Sequence, residues 1–233
     1  GKVILECQKE LMCLLRGFSG IDEFIEYTPA CKPAIPFDVH LSLLSLPRIF
    51  GTTLETVPAD IPYIEVDSHL VAKWSKRVGN NNNFKIGIVW AGSPKNINDR
   101  NRSCTLADFA ILGEIPGITF YTLQKGPASS EAANSPERME IINLEKELKD
   151  FVDTAAVIAN LDLVISVDTA VVHMAGAMGK PVWNLLSFAP SWRWLQNRDY
   201  SPWYPTMRLF RQSHTHVWTQ VFQQVKEKLS GIL

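Results

Sequence analysis

A chain of 233 residues, 46% hydrophobic and 20% charged, has the balance of a globular protein and room for one large domain or two small ones. Its formal net charge of −1 supplies no basic field to recruit nucleic acid or an anionic membrane. No apolar run approaches the roughly 18 residues of a membrane span, and GKVILECQKE lacks a signal-peptide pattern, so a cytoplasmic protein is expected, with further sequence ahead of Gly1.

In chain order, Val3–Leu5 reads as a short strand, and Lys9–Leu15 as a helix ending near Gly17. Ile21–Tyr27 and Phe37–Leu41 read as further strands. DSHLVAKWSKRVG reads as a helix with Asp67 as N-cap and Leu70, Val71 and Trp74 on one face. Asn80–Asn83, after Gly79, cannot bury apolar surface and reads as a linker. It divides a partial first lobe, residues 1–79, from a larger second lobe, residues 84–233.

The second lobe is the clearer one. Lys85–Trp90, Ile118–Leu123, Met139–Asn143, Leu163–Val167 and Pro181–Leu186 read as strands, most of them continuously apolar. A helix is expected from Asp153 to Asn160 and another from Thr169 to Met178, closed by Gly179. Apolar strands alternating with helices predict an α/β fold, with a Rossmann-like parallel sheet covered on both faces. Val217–Leu229 reads as an amphipathic terminal helix.

Ligands of an open α/β sheet bind beyond the C-terminal strand ends. Three loops qualify: Ala91-Gly92-Ser93, Gln124-Lys125-Gly126 and Asp168-Thr169-Ala170. The third opens a helix, whose unpaired N–H groups and partial positive charge suit a diphosphate. Thr169 adds a hydroxyl there, and His173 shares its helical face one turn in. The same residues also fit a plain N-cap at Asp168 and a core histidine at 173. Lys125 can reach a phosphate as a point charge or stay solvated. Arg102, in the loop NINDRNRS, can act as a bidentate phosphate donor, and Ser93 can offer a hydroxyl.

Other signatures fail. There is no G-x-G-x-x-G after a strand, no Walker A motif and no G-x-S-x-G elbow. Cys7, Cys13, Cys31 and Cys104 form no C-x-x-C pair and read as cytosolic thiols. His214-x-His216 is an incomplete metal site, so no metal and no cofactor are expected. Trp192, Trp194, Trp203 and Tyr204 can stack on a sugar or base, or form core.

The second lobe resembles the C-terminal lobe of glycosyltransferase-B enzymes. It is similar to ADP-heptose heptosyltransferase-like proteins, in particular the bacterial glycosyltransferases joined to tetratricopeptide repeats. The residues that carry the likeness are Ile88–Ser93, Arg102-Ser103, Leu123–Gly126 and the run DTAAVIANLDLVISVDTAVVHMAGAMGKPVW. Phe188-Ala189-Pro190, Trp192-Arg193-Trp194 and Ser201–Pro205 continue it, so that residues 84–225 match well and the first lobe weakly. The resemblance implies two Rossmann-like lobes and transfer of a sugar from a nucleotide-diphosphate donor, with inversion and without a metal. It implies that Ser93, Arg102, Lys125, Asp168, Thr169 and His173 bind the donor, while the acceptor, protein or glycan, is open. It also implies a general base on a glycine-rich loop after the first strand. No such loop precedes Val3, so the base is expected upstream of residue 1, and the chain alone is expected to hold donor without turning it over. The competing expectations are a catalytically silent binding or scaffold module of the same fold and a sugar-nucleotide epimerase.

Overall fold

The computed structural model describes residues 1–29, 35–79 and 81–233. The chain opens with β1 (Ile4–Cys7), α1 (Lys9–Leu15) and β2 (Glu23–Glu26), a βαβ unit whose two strands pair in parallel. Phe37–Leu41 forms no strand. Its alternating pattern has no neighbouring strand to pair with, and Phe37, Val39 and Leu41 stay exposed, so β propensity goes unrealised. The chain turns instead through a short 3-10 stretch into α2 (Leu46–Ile49), with Pro47 in its first turn. Cys31 lies outside the described residues; Cys7, Cys13 and Cys104 are free thiols.

Next comes α3 (Ser68–Val78), capped as expected: the Asp67 carboxylate accepts from the His69 N–H at 2.7 Å. Composition puts α3 with the first part of the chain, but its packing puts it with the second. Trp74 and Val78 join the buried cluster of the large sheet, and Asn160 Nδ2 donates to the Val71 carbonyl. Of the Asn run, Asn80 lies outside the described residues. Asn81 and Asn83 both donate to Thr119 Oγ1, which ties the connection to the sheet.

The second part holds β3 (Phe84–Val89), α4 (Asp99–Arg102), β4 (Ile118–Thr122), β5 (Ile141–Asn143), α5 (Phe151–Ala159), β6 (Leu163–Val167), α6 (Ala170–Ala177), β7 (Val182–Leu186), β8 (Met207–Arg211) and α7 (Thr219–Ser230). The six strands form one parallel sheet in the order β5-β4-β3-β6-β7-β8. Alternate residues serve opposite faces, as the strand period requires. Val164 packs with Trp74, Ala155, Ile158 and Ala175 under α3, α5 and α6. Leu163, Ile165 and Val167 pack on the other face with Ile86, Phe109 and Phe222, under α7 and the 3-10 segment Leu106–Glu114.

Two helix starts differ from expectation. α5 begins at Phe151, because Asp150 accepts from the N–H groups of Val152 and Asp153 and so supplies the cap. Asp153, thereby placed in the first turn, accepts from Trp74 Nε1 at 3.0 Å and clamps α3 to α5. At α6 the N-cap is Thr169 rather than Asp168. Among the described residues no helix is long and apolar enough to cross a membrane.

Candidate functional site

The strand order reverses between β3 and β6, so the loops leaving their C-terminal ends diverge and open a crevice. From the β3 side, the turn Trp90–Ala91 is held by the buried Gln124 amide. Its Oε1 accepts from both backbone N–H groups, and its Nε2 donates to the Ala91 carbonyl at 3.0 Å. Beyond the turn, Gly92 N–H donates to Ser103 Oγ, which in turn donates to Asp99 Oδ1. Asp99 also accepts from Arg102 Nε at 3.2 Å. Gly92 leaves room for this pair, because a Cβ at this position would overlap the Arg102 guanidinium and the Asp99 carboxylate and force them to shift. Arg102 is thus anchored by its Nε and donates from Nη1 to the Asp168 carbonyl at 2.7 Å.

From the β6 side comes the start of α6. The Thr169 hydroxyl faces Ser166 Oγ at 3.1 Å and makes no capping bond. Among the described residues, the Ala170 and Val171 N–H groups have no hydrogen-bond acceptor, which leaves the positive end of the helix open. The Asp168 carboxylate caps nothing. It stands 3.9 Å from His173 Nε2.

His173 is held on two further sides. Trp194 stacks on its ring with centroids 5.1 Å apart, and the Tyr204 hydroxyl lies 3.1 Å from Nδ1. Burial pushes the His173 pKa below its ordinary value, and Arg193 pushes the same way against the opposing pull of Asp168. Burial thus favours the neutral imidazole.

These groups meet in a cavity of about 410 Å³, lined among others by Asn98, Arg102, Asp168, Thr169, His173 and Arg193. That volume suits a small ligand rather than a macromolecule. The cavity collects two guanidiniums, a helix N-terminus and one carboxylate, a donor-rich set for an anion with several oxygens.

Of the residues expected from sequence, Arg102, Asp168, Thr169 and His173 converge here. Ser93 and Lys125 are not among the lining residues. Ser93 Oγ accepts from Lys95 N–H within its own turn. Lys125 donates to the carbonyls of Glu145 at 2.6 Å and Leu148 at 2.9 Å. Arg193, which the sequence offered only as part of an aromatic-rich run, lines the cavity. Asp99, Gln124 and Gly92 shape it without lining it; Gly92 and Gln124 stand in loops the sequence marks as candidates past strand ends, and Asp99 in the polar loop of Arg102. No group of three or more His, Cys, Asp or Glu side chains is placed to hold a metal ion among the described residues.

Residues 130–215, which span β5, α5, β6, α6, β7 and β8, match glycosyltransferase family 9 (heptosyltransferase). The fold is shared with the ADP-heptose lipopolysaccharide heptosyltransferase II of E. coli at a TM-score of 0.52 and 17% identity, covering 78% of this chain and 56% of that one. It is shared also with a family 9 glycosyl transferase from Veillonella parvula at a TM-score of 0.51 and 12% identity, covering 92% of this chain and 57% of that one. Protein FlbA of Caulobacter vibrioides is 30% identical over 182 residues, 76% of this chain. The chain spans only 30% of FlbA and little more than half of the two solved structures. The likeness to glycosyltransferase family 9 and to the glycosyltransferase-B heptosyltransferase fold is therefore established for this chain.

Proposed function

We propose that this chain is the donor-binding half of a glycosyltransferase, and that its cavity takes the diphosphate of a nucleotide-linked sugar. One observation carries the reading: Arg102, His173, Arg193 and the open N-terminus of α6 converge on one cavity at the point where the strand order reverses. In sugar transfer the leaving diphosphate gains negative charge as the glycosidic bond breaks. Donors already aimed at that position stabilise the transition state more than the ground state. Arg102 and Arg193 supply charge, and the Ala170 and Val171 amides supply fixed dipoles. His173 supplies a neutral hydrogen bond.

With two guanidiniums in place, charge neutralisation needs no divalent ion, so transfer is metal-independent. A direct displacement at the anomeric carbon inverts its configuration. The same reading assigns the activity to the cytoplasm and to a longer, repeat-linked protein, with a protein or glycan as acceptor.

Crystals soaked with UDP, GDP and ADP test the assignment. Density for a diphosphate within hydrogen-bonding distance of Arg102 and the α6 amides is the expected result. A nucleotide bound elsewhere with this cavity empty would overturn it. Release of nucleoside diphosphate from a nucleotide sugar by the longer protein, in EDTA, tests the transfer step.

A further inference from the structure

Tyr204 lies behind the cavity rather than in its lining, and it reaches the site only through His173. Its ring is pressed against α6 where Gly176 leaves space; a Cβ there would stand 2.5 Å from Tyr204 Cγ. Its hydroxyl faces His173 Nδ1 at 3.1 Å. On the imidazole face, Trp194 is fixed in turn, since its carbonyl accepts from Arg211 Nη2 at 2.5 Å. The ring is therefore held so that its Nε2 edge points to Asp168.

We propose that Tyr204 is a positioning residue whose O–H donates to His173 Nδ1, fixing the Nε2–H tautomer and presenting that N–H to the oxygens of a bound diphosphate. The identity of the anion rests on the function proposed above; the tautomer does not. In a neutral imidazole one nitrogen donates and the other accepts. The Asp168 carboxylate stands on the Nε2 side, 3.9 Å away, and favours a hydrogen on Nε2. Nδ1 is then a bare acceptor, partly buried, and Tyr204 is the donor that meets it. Burial, reinforced by the charge of and a hydrogen bond with the neighbouring Tyr63 phenol, holds the Tyr204 ionisation far above its ordinary range, so its hydroxyl keeps its proton; of its two partners, Tyr63 and Nδ1, it is Nδ1 that receives that proton's hydrogen bond. The charged groups around the imidazole are Asp168, Arg193 and, across the cavity, Arg102.

Long-range nitrogen–proton NMR of the histidine side chains near neutral pH tests this, with His173→Gln to assign the signals. The wild-type chain is expected to show His173 neutral and protonated on Nε2. Tyr204→Phe removes the donor and is expected to populate the Nδ1–H form. It is also expected to weaken binding of whichever of UDP, GDP and ADP binds by roughly 3- to 10-fold, the value of one hydrogen bond. Gly176→Ala, which crowds the same ring, is expected to redistribute the tautomers too. An Nδ1–H tautomer in the wild type overturns the proposal. So does an unchanged tautomer in Tyr204→Phe, even if nucleotide binding falls. The expected tautomer shift in a chain that binds no nucleotide would support the positioning role and reject the function proposed above.

Discussion

The guanidinium of Arg102 donates to the backbone carbonyl of Asp168 at 2.7 Å, joining the loop after β3 to the turn after β6 across the point where the sheet reverses. The bond does two things. It fixes the width of the crevice, and it holds Arg102 in the lining of the cavity. Arg102→Ala is expected to weaken nucleoside diphosphate binding by about 10-fold or more, since hydrogen bonds to charged groups contribute roughly 1.5–3 kcal/mol. Arg102→Lys should recover only part of this, because a point charge cannot hold Asp99, Asp168 and a phosphate together. Titration calorimetry of the three proteins decides; equal affinities would remove Arg102 from the site.

Gly92→Ala reaches the same residue from behind. The added methyl overlaps the Arg102–Asp99 pair, so the pair must move. Nucleotide affinity is expected to fall nearly as far as in Arg102→Ala, with a stability loss of about 1–3 kcal/mol from overpacking. Urea unfolding and calorimetry on one variant read both effects.

Lys125 separates sequence from structure. Its ammonium is occupied by the carbonyls of Glu145 and Leu148, with the Glu145 carboxylate 3.6 Å away. Lys125→Met is expected to cost about 1 kcal/mol in urea unfolding while nucleotide affinity stays within about twofold. A tenfold loss of affinity without a stability change would restore it to the donor site.

Acid should act through His173. Burial lowers its folded-state pKa, so the unfolded chain takes up a proton near pH 6.5 that the folded chain resists. The stability associated with the neutral ring is complete above about pH 6.5 and is lost as pH falls below it, the loss ending under the folded-state pKa. Urea titrations between about pH 8 and pH 5 should show the wild type losing more stability than His173→Gln. Equal slopes would mean that His173 titrates as it does in water.

Much of the fold is legible in the sequence, because long apolar runs such as Leu163–Val167 permit little but a strand buried on both faces. The helix Lys9–Leu15 and the Asp67 cap follow from local rules in the same way. What escapes depends on partners distant in sequence. Phe37–Leu41 alternates like a strand but finds no neighbour. Met207–Arg211 becomes the edge strand β8 by pairing with β7. At the site, Asp168, Thr169 and His173 sit on one strand–helix turn and are readable together. Arg102 is brought to them across 66 residues. Gln124 and Tyr204 stand in stretches the sequence singles out, a loop past a strand and an aromatic cluster, but what they do, like what Asp99 does, depends on geometry that a one-dimensional pattern does not carry.

The central claim is that this cavity binds a nucleoside diphosphate without a metal. Calorimetric titration of the chain with UDP, GDP and ADP, each in EDTA and in Mg²⁺, tests it most directly. The account predicts saturable binding of at least one of the three, equal in both buffers and strongly weakened in Arg102→Ala and His173→Ala. Binding that requires Mg²⁺, or that both variants leave intact, would contradict it.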